Sequence, residues 1–262
     1  MLPRCTGGAG LTIAVLAVLF FACEDKVAQF GSRANEQRAV AASAASSGEG
    51  AKPTPPVDPL AGLAVDDLGL LLSDQRIDMT AKDAPGRLTL AIAKLPVKQK
   101  TVPLKVARNA KVQHVEQFVF ALGEAGAAQV DVTTATRTGE KMAVLKLFPE
   151  QLIATQLPEC TLVGMIRHDN STAIWHMRGG TAFKYTKGLA GPDISATLVG
   201  LTDQMKPCNS AHWVLGGEEN VTWGPVFDLG VAVATAEPPT RATNAVLLHE
   251  SMVAGRRVQL IK

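Results

Sequence analysis

The same order of apolar segments runs through this chain twice, and that repetition constrains its fold more than any single motif does. Residues 87–95 follow Pro85, which suits a helix start, and they place Leu88, Ile92 and Leu95 on one helical face before Pro96 ends the run. Residues 102–107 alternate as a strand does. Residues 112–122 repeat Val112, Val115, Val119 and Leu122 at helical spacing, and Gly126 stands just beyond, where a C-cap glycine is expected. Residues 129–133 read as another strand. The second half returns to this order, with a strand at 173–177 and a helix at 192–205 presenting Ile194, Leu198, Leu201 and Met205. A short strand at 213–215, a helix within 221–234 starting near Pro225, and a strand at 245–248 follow. Apolar stretches at 68–72, 142–148 and 160–166 add further β-structure. Leu88, Ile92 and Leu95 recur as Ile194, Leu198 and Leu201, 106 residues on; Val112 and Phe118 recur as Val221 and Phe227, 109 residues on. A tandem of two related units accounts for this. A single α/β domain with a chance similarity of order is the alternative.

The first 23 residues divide into a start with one basic side chain, Arg4, an apolar run from Leu11 to Phe21, and Ala22-Cys23. That is the layout of a secretory signal, and the run is shorter than the roughly 20 residues that span a bilayer. A small residue before a Cys at the end of the apolar core resembles the lipobox of bacterial lipoproteins, which implies a lipid on Cys23 and a tether to the membrane. Phe20 stands where that pattern usually has Leu. An uncleaved signal anchor is the competing expectation, since no charged residue lies between Cys5 and Cys23. Residues 24–59 carry Ala, Ser, Gly and Pro with few large apolar side chains, too few to offset the entropy of ordering. A flexible linker of that length spans about 30–35 Å root-mean-square.

Net charge of +2 with no basic block gives no footprint for nucleic acid, and aromatic residues at 5% leave little material for stacking on sugars. Cys160 and Cys208 are the two cysteines beyond the signal; in an oxidising compartment an even pair predicts a disulfide. Two buried thiols are the other option.

The order helix, strand, polar turn, helix, strand resembles the periplasmic domain of the ExbD/TolR family. It is carried by residues 102–126 (VPLKVARNAKVQHVEQFVFALGEAG) and 213–229 (WVLGGEENVTWGPVFDL). The resemblance covers some 50 residues per half. It implies an α+β chain with two small tandem ExbD/TolR-like sandwich domains, at 60–140 and 141–262, each a mixed sheet with two helices. Asn109 and Glu218 then fall at the family's Asp position, and His114 and Trp223 at its aromatic position, which makes these four the candidate partner surface. Family domains dimerise and contact envelope proteins or peptidoglycan, so the resemblance implies such a partner, a homodimer as an option, and a location on the periplasmic side of a bacterial envelope. Family members also carry an acidic residue in their membrane span. The run from Leu11 to Phe21 has none, so the sequence favours a tethered binding module. An uncleaved single-span subunit of a proton-motive-force-driven transport complex is the alternative function.

The sequence offers little chemistry. His168, Asp169 and His176 lie close together and His114, His212 and His249 are scattered, but none has the tight spacing of metal ligands. Gly-x-Ser-x-Gly and Ser-x-x-Lys do not occur. The pairs Glu218-Glu219 and Asp66-Asp67 are adjacent, and adjacent strand residues point to opposite faces. The expectation is a protein with no catalytic residues, no cofactor and no metal. Trp175, Trp213 and Trp223 are core candidates by default, with Trp223 a contact residue if it is exposed.

Overall fold

The computed structural model describes residues 58–72, 75–236 and 242–260. The signal segment with Cys23, and the linker up to residue 57, lie outside these residues. The described part opens with a meander of three short strands, β1 (Leu63–Asp66), β2 (Gly69–Leu72) and β3 (Gln75–Asp78). Asp66 shapes the first turn by accepting the Leu68 and Gly69 amides at 3.0 and 3.1 Å, and Arg76 grips the same carboxylate from β3. Gly69 is obligatory there: its φ is +132°, and a Cβ would lie 2.3 Å from the Ile77 carbonyl oxygen.

Next come α1 (Ala84–Ile92), β4 (Thr101–Val106), α2 (Val112–Glu124), β5 (Gln129–Ala135), β6 (Met142–Pro149) and the single turn α3 (Glu150–Ile153). The second half holds β7 (Leu162–Ile166), β8 (Thr172–His176), β9 (Phe183–Tyr185) and a small hairpin of β10 (Lys187–Gly188) with β11 (Gly191–Pro192). It ends with α4 (Ile194–Met205), β12 (His212–Gly217), α5 (Trp223–Ala234) and β13 (Asn244–Leu247). Asp193 caps α4 by accepting the Ala196 amide at 2.9 Å. The helix expected at 87–95 begins three residues earlier, so that Pro85 lies inside its first turn.

The fold is mixed α/β, built on one 11-stranded sheet in the order β3-β2-β1-β4-β5-β6-β13-β12-β7-β8-β9. This order is a palindrome about β6. β1, β4 and β5 run parallel to one another, β6 runs antiparallel to β5, and β13, β12 and β7 continue parallel to β6. The two halves are therefore related by a pseudo-twofold axis that crosses the sheet near β6 and reverses strand direction. The boundary expected at 140/141 falls in the β5–β6 turn, but no break in the sheet accompanies it; the halves share their strands' hydrogen bonding and one core.

Register makes the duplication quantitative. Val65 pairs with Val106 as Ile166 pairs with Gly217, and Leu104 pairs with Val132 as Leu215 pairs with Leu247. β4 thus maps onto β12 at an offset of 111, and the same offset carries the α2 cap, Lys111, onto the α5 cap, Thr222. Buried Val115, Phe118, Val119 and Leu122 fall on buried Val226, Leu229, Gly230 and Val233. The equivalence of 109 residues drawn from Val112 and Phe118 is two short. Val221, an apolar residue ahead of the α5 cap, imitates Val112, which lies inside α2.

The main core lies between the helices and one face of the sheet, with Trp213, Trp223, Phe118 and Phe227 among its largest side chains. A second cluster, with Val163, Met165, Trp175 and Val214, occupies the other face of the second half. Residues 248–260 run across it: the Trp175 Nε1–H donates to the Arg256 carbonyl at 2.9 Å, and the Val258 amide to that of Met177 at 2.8 Å. On the corresponding face of the first half, Lys105, Val144 and Lys146 are exposed among the described residues. Cys160 and Cys208 form a disulfide, Cα–Cα 5.6 Å, that joins the approach to β7 to the end of α4. Among the described residues no helix is long and apolar enough to cross a membrane.

Candidate functional site

The loops that follow β4 and β12 meet at the pseudo-twofold axis. Each leads from a parallel strand into a helix, so the axis brings two equivalent helix entrances together. The Val112 amide donates to the Val221 carbonyl at 3.0 Å, the Trp223 amide to that of Ala110 at 2.8 Å and the Gly224 amide to that of Arg108 at 2.8 Å. Lys111 and Thr222, the two helix caps, form an antiparallel bridge. Backbone groups that would otherwise be orphaned at two helix starts are in part satisfied by each other.

Side chains reinforce the junction. Arg108 holds Asp228 of α5 through two hydrogen bonds, at 2.8 and 2.7 Å, and also donates to the Ala135 carbonyl at 2.9 Å. Arg137 reaches the same carboxylate at 3.3 Å. The Asp228 carboxylate keeps the Arg108 guanidinium above its ordinary pKa. Gly224 leaves room for this pair, since a Cβ there would stand 3.0 Å from the guanidinium. Beneath it, the Trp223 Nε1–H donates to Thr134 Oγ1 at 3.0 Å, and the Thr134 hydroxyl donates to the Val106 carbonyl at 2.9 Å.

The four residues expected to form a partner surface divide in two. Asn109 is exposed on the first loop, and Glu218 is half-buried at the end of β12. Burial pushes Glu218 up, but the His168 amide and ring and the Arg167 guanidinium outweigh it and hold the carboxyl below its ordinary value. Trp223 is fully buried, because α5 begins at Trp223 and not at Pro225, which turns the indole inward. His114 is also buried, on the core-facing side of α2, where burial and the nearby Lys111 lower its pKa. Neither offers a surface. With the corrected offset, Asn109 corresponds to Asn220, and the exposed rim around the axis is Asn109, Glu219, Asn220 and Thr222.

Sequence reasoning did not single out Arg108, Asp228 or Thr134. Asp228 carried a usable signal: it is the only charge in the run Trp-Gly-Pro-Val-Phe-Asp-Leu-Gly-Val-Ala-Val-Ala, and a lone charge in an apolar helix needs a partner. The described residues bring no three His, Cys, Asp or Glu side chains together around a metal position. His168, Asp169 and His176 are separated by their roles: His168 bonds Glu218, Asp169 bonds Ser171 and Lys184, and His176 bonds the Cys160 carbonyl.

No protein-family model matches this chain, and neither a curated protein nor a solved structure shows detectable similarity to it.

Proposed function

We propose that this chain is a non-enzymatic, membrane-tethered envelope protein whose halves are two ExbD/TolR-like units, and that it binds an envelope partner through the paired loops at its pseudo-twofold axis. The observation that carries the proposal is the palindromic strand order about β6, which makes one polypeptide a built-in pair of related units. In each half the unit runs strand meander, helix, strand, helix, strand, the order on which the family resemblance rests. The Cys160–Cys208 disulfide supports an oxidising compartment. The signal-like start with Cys23 supports a lipid tether.

A protein partner fits the rim better than peptidoglycan does. The rim presents Asn109, Glu219, Asn220 and Thr222, groups that hydrogen-bond, and every Trp of the chain is buried, so no indole face is offered there for a sugar to stack on. The test is retention of the detergent-extracted chain on peptidoglycan sacculi and, separately, capture of envelope proteins by the chain and by an N109A/N220A variant. Capture that the variant loses supports the reading. Capture of nothing by either matrix overturns it, and binding to sacculi alone redirects it to the cell wall.

A further inference from the structure

Two carboxyl groups lie beneath the segment that covers the second sheet face. Glu116 of α2 is 6% exposed and Glu150, the first residue of α3, is 2% exposed. The corrected repeat shows how unusual the first is, because Glu116 occupies the position that Phe227 fills in the other half. The Gly217 amide near Glu116 and the His249 amide near Glu150 favour the charged forms, but burial outweighs both. Glu150 Oε1 has no hydrogen-bond partner, and neither carboxyl has a cationic partner among the described residues.

Both groups touch the start of the covering segment. His249 and Met252 belong to it. The His249 amide lies near the Glu150 carboxyl, and Met252 packs on Gly216 beside Glu116: a Cβ on Gly216 would lie 2.4 Å from Met252 Cε and 3.4 Å from Glu116 Oε1. The groups that face this pair do not neutralise it. Glu250 opposes charge on Glu150 and Glu150 opposes it on Glu116; the His249 ring stacks on Phe120 at 4.2 Å, and burial lowers its pKa, which disfavours a cation there. Glu218, next along from Gly217, is occupied by Arg167 and His168. Arg256 is exposed, and Arg257 pairs with Glu159.

We propose that Glu116 and Glu150 form a proton-controlled clamp on residues 248–260: protonated, they hold the segment over Val163, Met165, Trp175 and Val214, and ionised, they release it and uncover that apolar face. A charged carboxylate in so dry a place must regain water or a cation, and the segment above it is irregular, with two backbone bonds to the sheet region, Val258 to Met177 and Gly180 to Gly255. Moving this segment costs less than opening β12 or α2. Burial raises both carboxyls, Glu150 to about 7, so Glu150 places the response of the clamp near neutral pH. The function of this face does not depend on the partner-binding loops, so the two readings fail separately.

Hydrogen exchange of the full chain in detergent, corrected for intrinsic rate, tests the clamp. Between pH 6 and pH 8 the opening equilibrium reported by the Val258 and Gly180 amides is expected to rise about tenfold from Glu150 alone, while the β4 and β5 amides stay protected. In E116Q/E150Q, where both side chains stay neutral, the rise should vanish. Equal protection of Val258 and Gly180 at both pH values in the wild type overturns the proposal even if the variant does not fold. Parallel loosening of β4 and β5, or an unchanged rise in the folded variant, overturns it as well.

Discussion

Arg108 and Asp228, 120 residues apart, form a two-pronged ion pair that ties the loop after β4 to α5 across the pseudo-twofold axis. Arg108 is the more solvent-exposed of the two, at 28% against 14% for the Asp228 side chain. Removing Asp228 leaves Arg108 partly buried without its carboxylate, and removing Arg108 leaves Asp228 only the longer contact with Arg137, at 3.3 Å. Replacement of Arg108 or Asp228 by Ala should each cost about 1–3 kcal/mol, and a double-mutant cycle by urea denaturation should show coupling between them. Additive losses would mean that the pair does not hold the halves together.

Trp223 is a core residue that joins the halves through Thr134. Trp223→Phe should cost about 1 kcal/mol through the lost hydrogen bond, and Trp223→Ala about 3–5 kcal/mol. Chemical denaturation measures both. A Trp on a partner surface would instead tolerate Ala with little change in stability.

The β1–β2 turn depends on Gly69. Gly69→Ala meets the Ile77 carbonyl oxygen at a backbone angle that side chains rarely adopt, and a loss of about 1–3 kcal/mol is expected. Loss of amide protection confined to β1, β2 and β3 would locate the damage. The disulfide gives a parallel test for the second half, where reduction should destabilise by roughly 2–4 kcal/mol.

Stability should be greatest on the acid side of neutrality. Burial raises Glu150 to about 7 from an ordinary 4.5, and Glu116 is raised well above it too. Between those values the unfolded chain releases a proton that native Glu150 keeps, so the native state loses stability as pH rises from about 4.5 to about 7, by up to about 3 kcal/mol. Asp66, Asp78, Asp169 and Glu218 are shifted the other way, and their contribution is lost as pH falls through the carboxylate range. Thermal melts from pH 3 to pH 9 should therefore peak near pH 5, and E150Q should flatten the alkaline side. A wild-type maximum at pH 8 would contradict this.

The helices were legible in the sequence because each packs one face, and periodic apolar spacing at 112–122 and 192–205 reports that directly. The Cys160–Cys208 pairing was equally legible, from number and compartment. β3 escaped notice because its four residues, Gln-Arg-Ile-Asp, hold a single buried side chain, Ile77, and β1 because its buried pair, Leu63 and Val65, spans only four residues. The shared sheet was out of reach for a different reason. Its closure depends on β6 pairing with β5 on one side and β13 on the other, a contact between Leu147 and Ala245 that no local pattern encodes. The candidate site was found only in part: Asn109 and Glu218 lie near the axis, but the two-residue slip in register put Trp223 on a surface it does not reach.

Site-specific photo-crosslinking in living cells tests the binding role most directly. A crosslinker placed at Asn109 or Asn220 of the full-length chain should trap one and the same envelope protein, whereas a crosslinker at Lys105, exposed on β4, should not. Equal, diffuse crosslinking from all three positions, or none from the axis loops, would contradict the account.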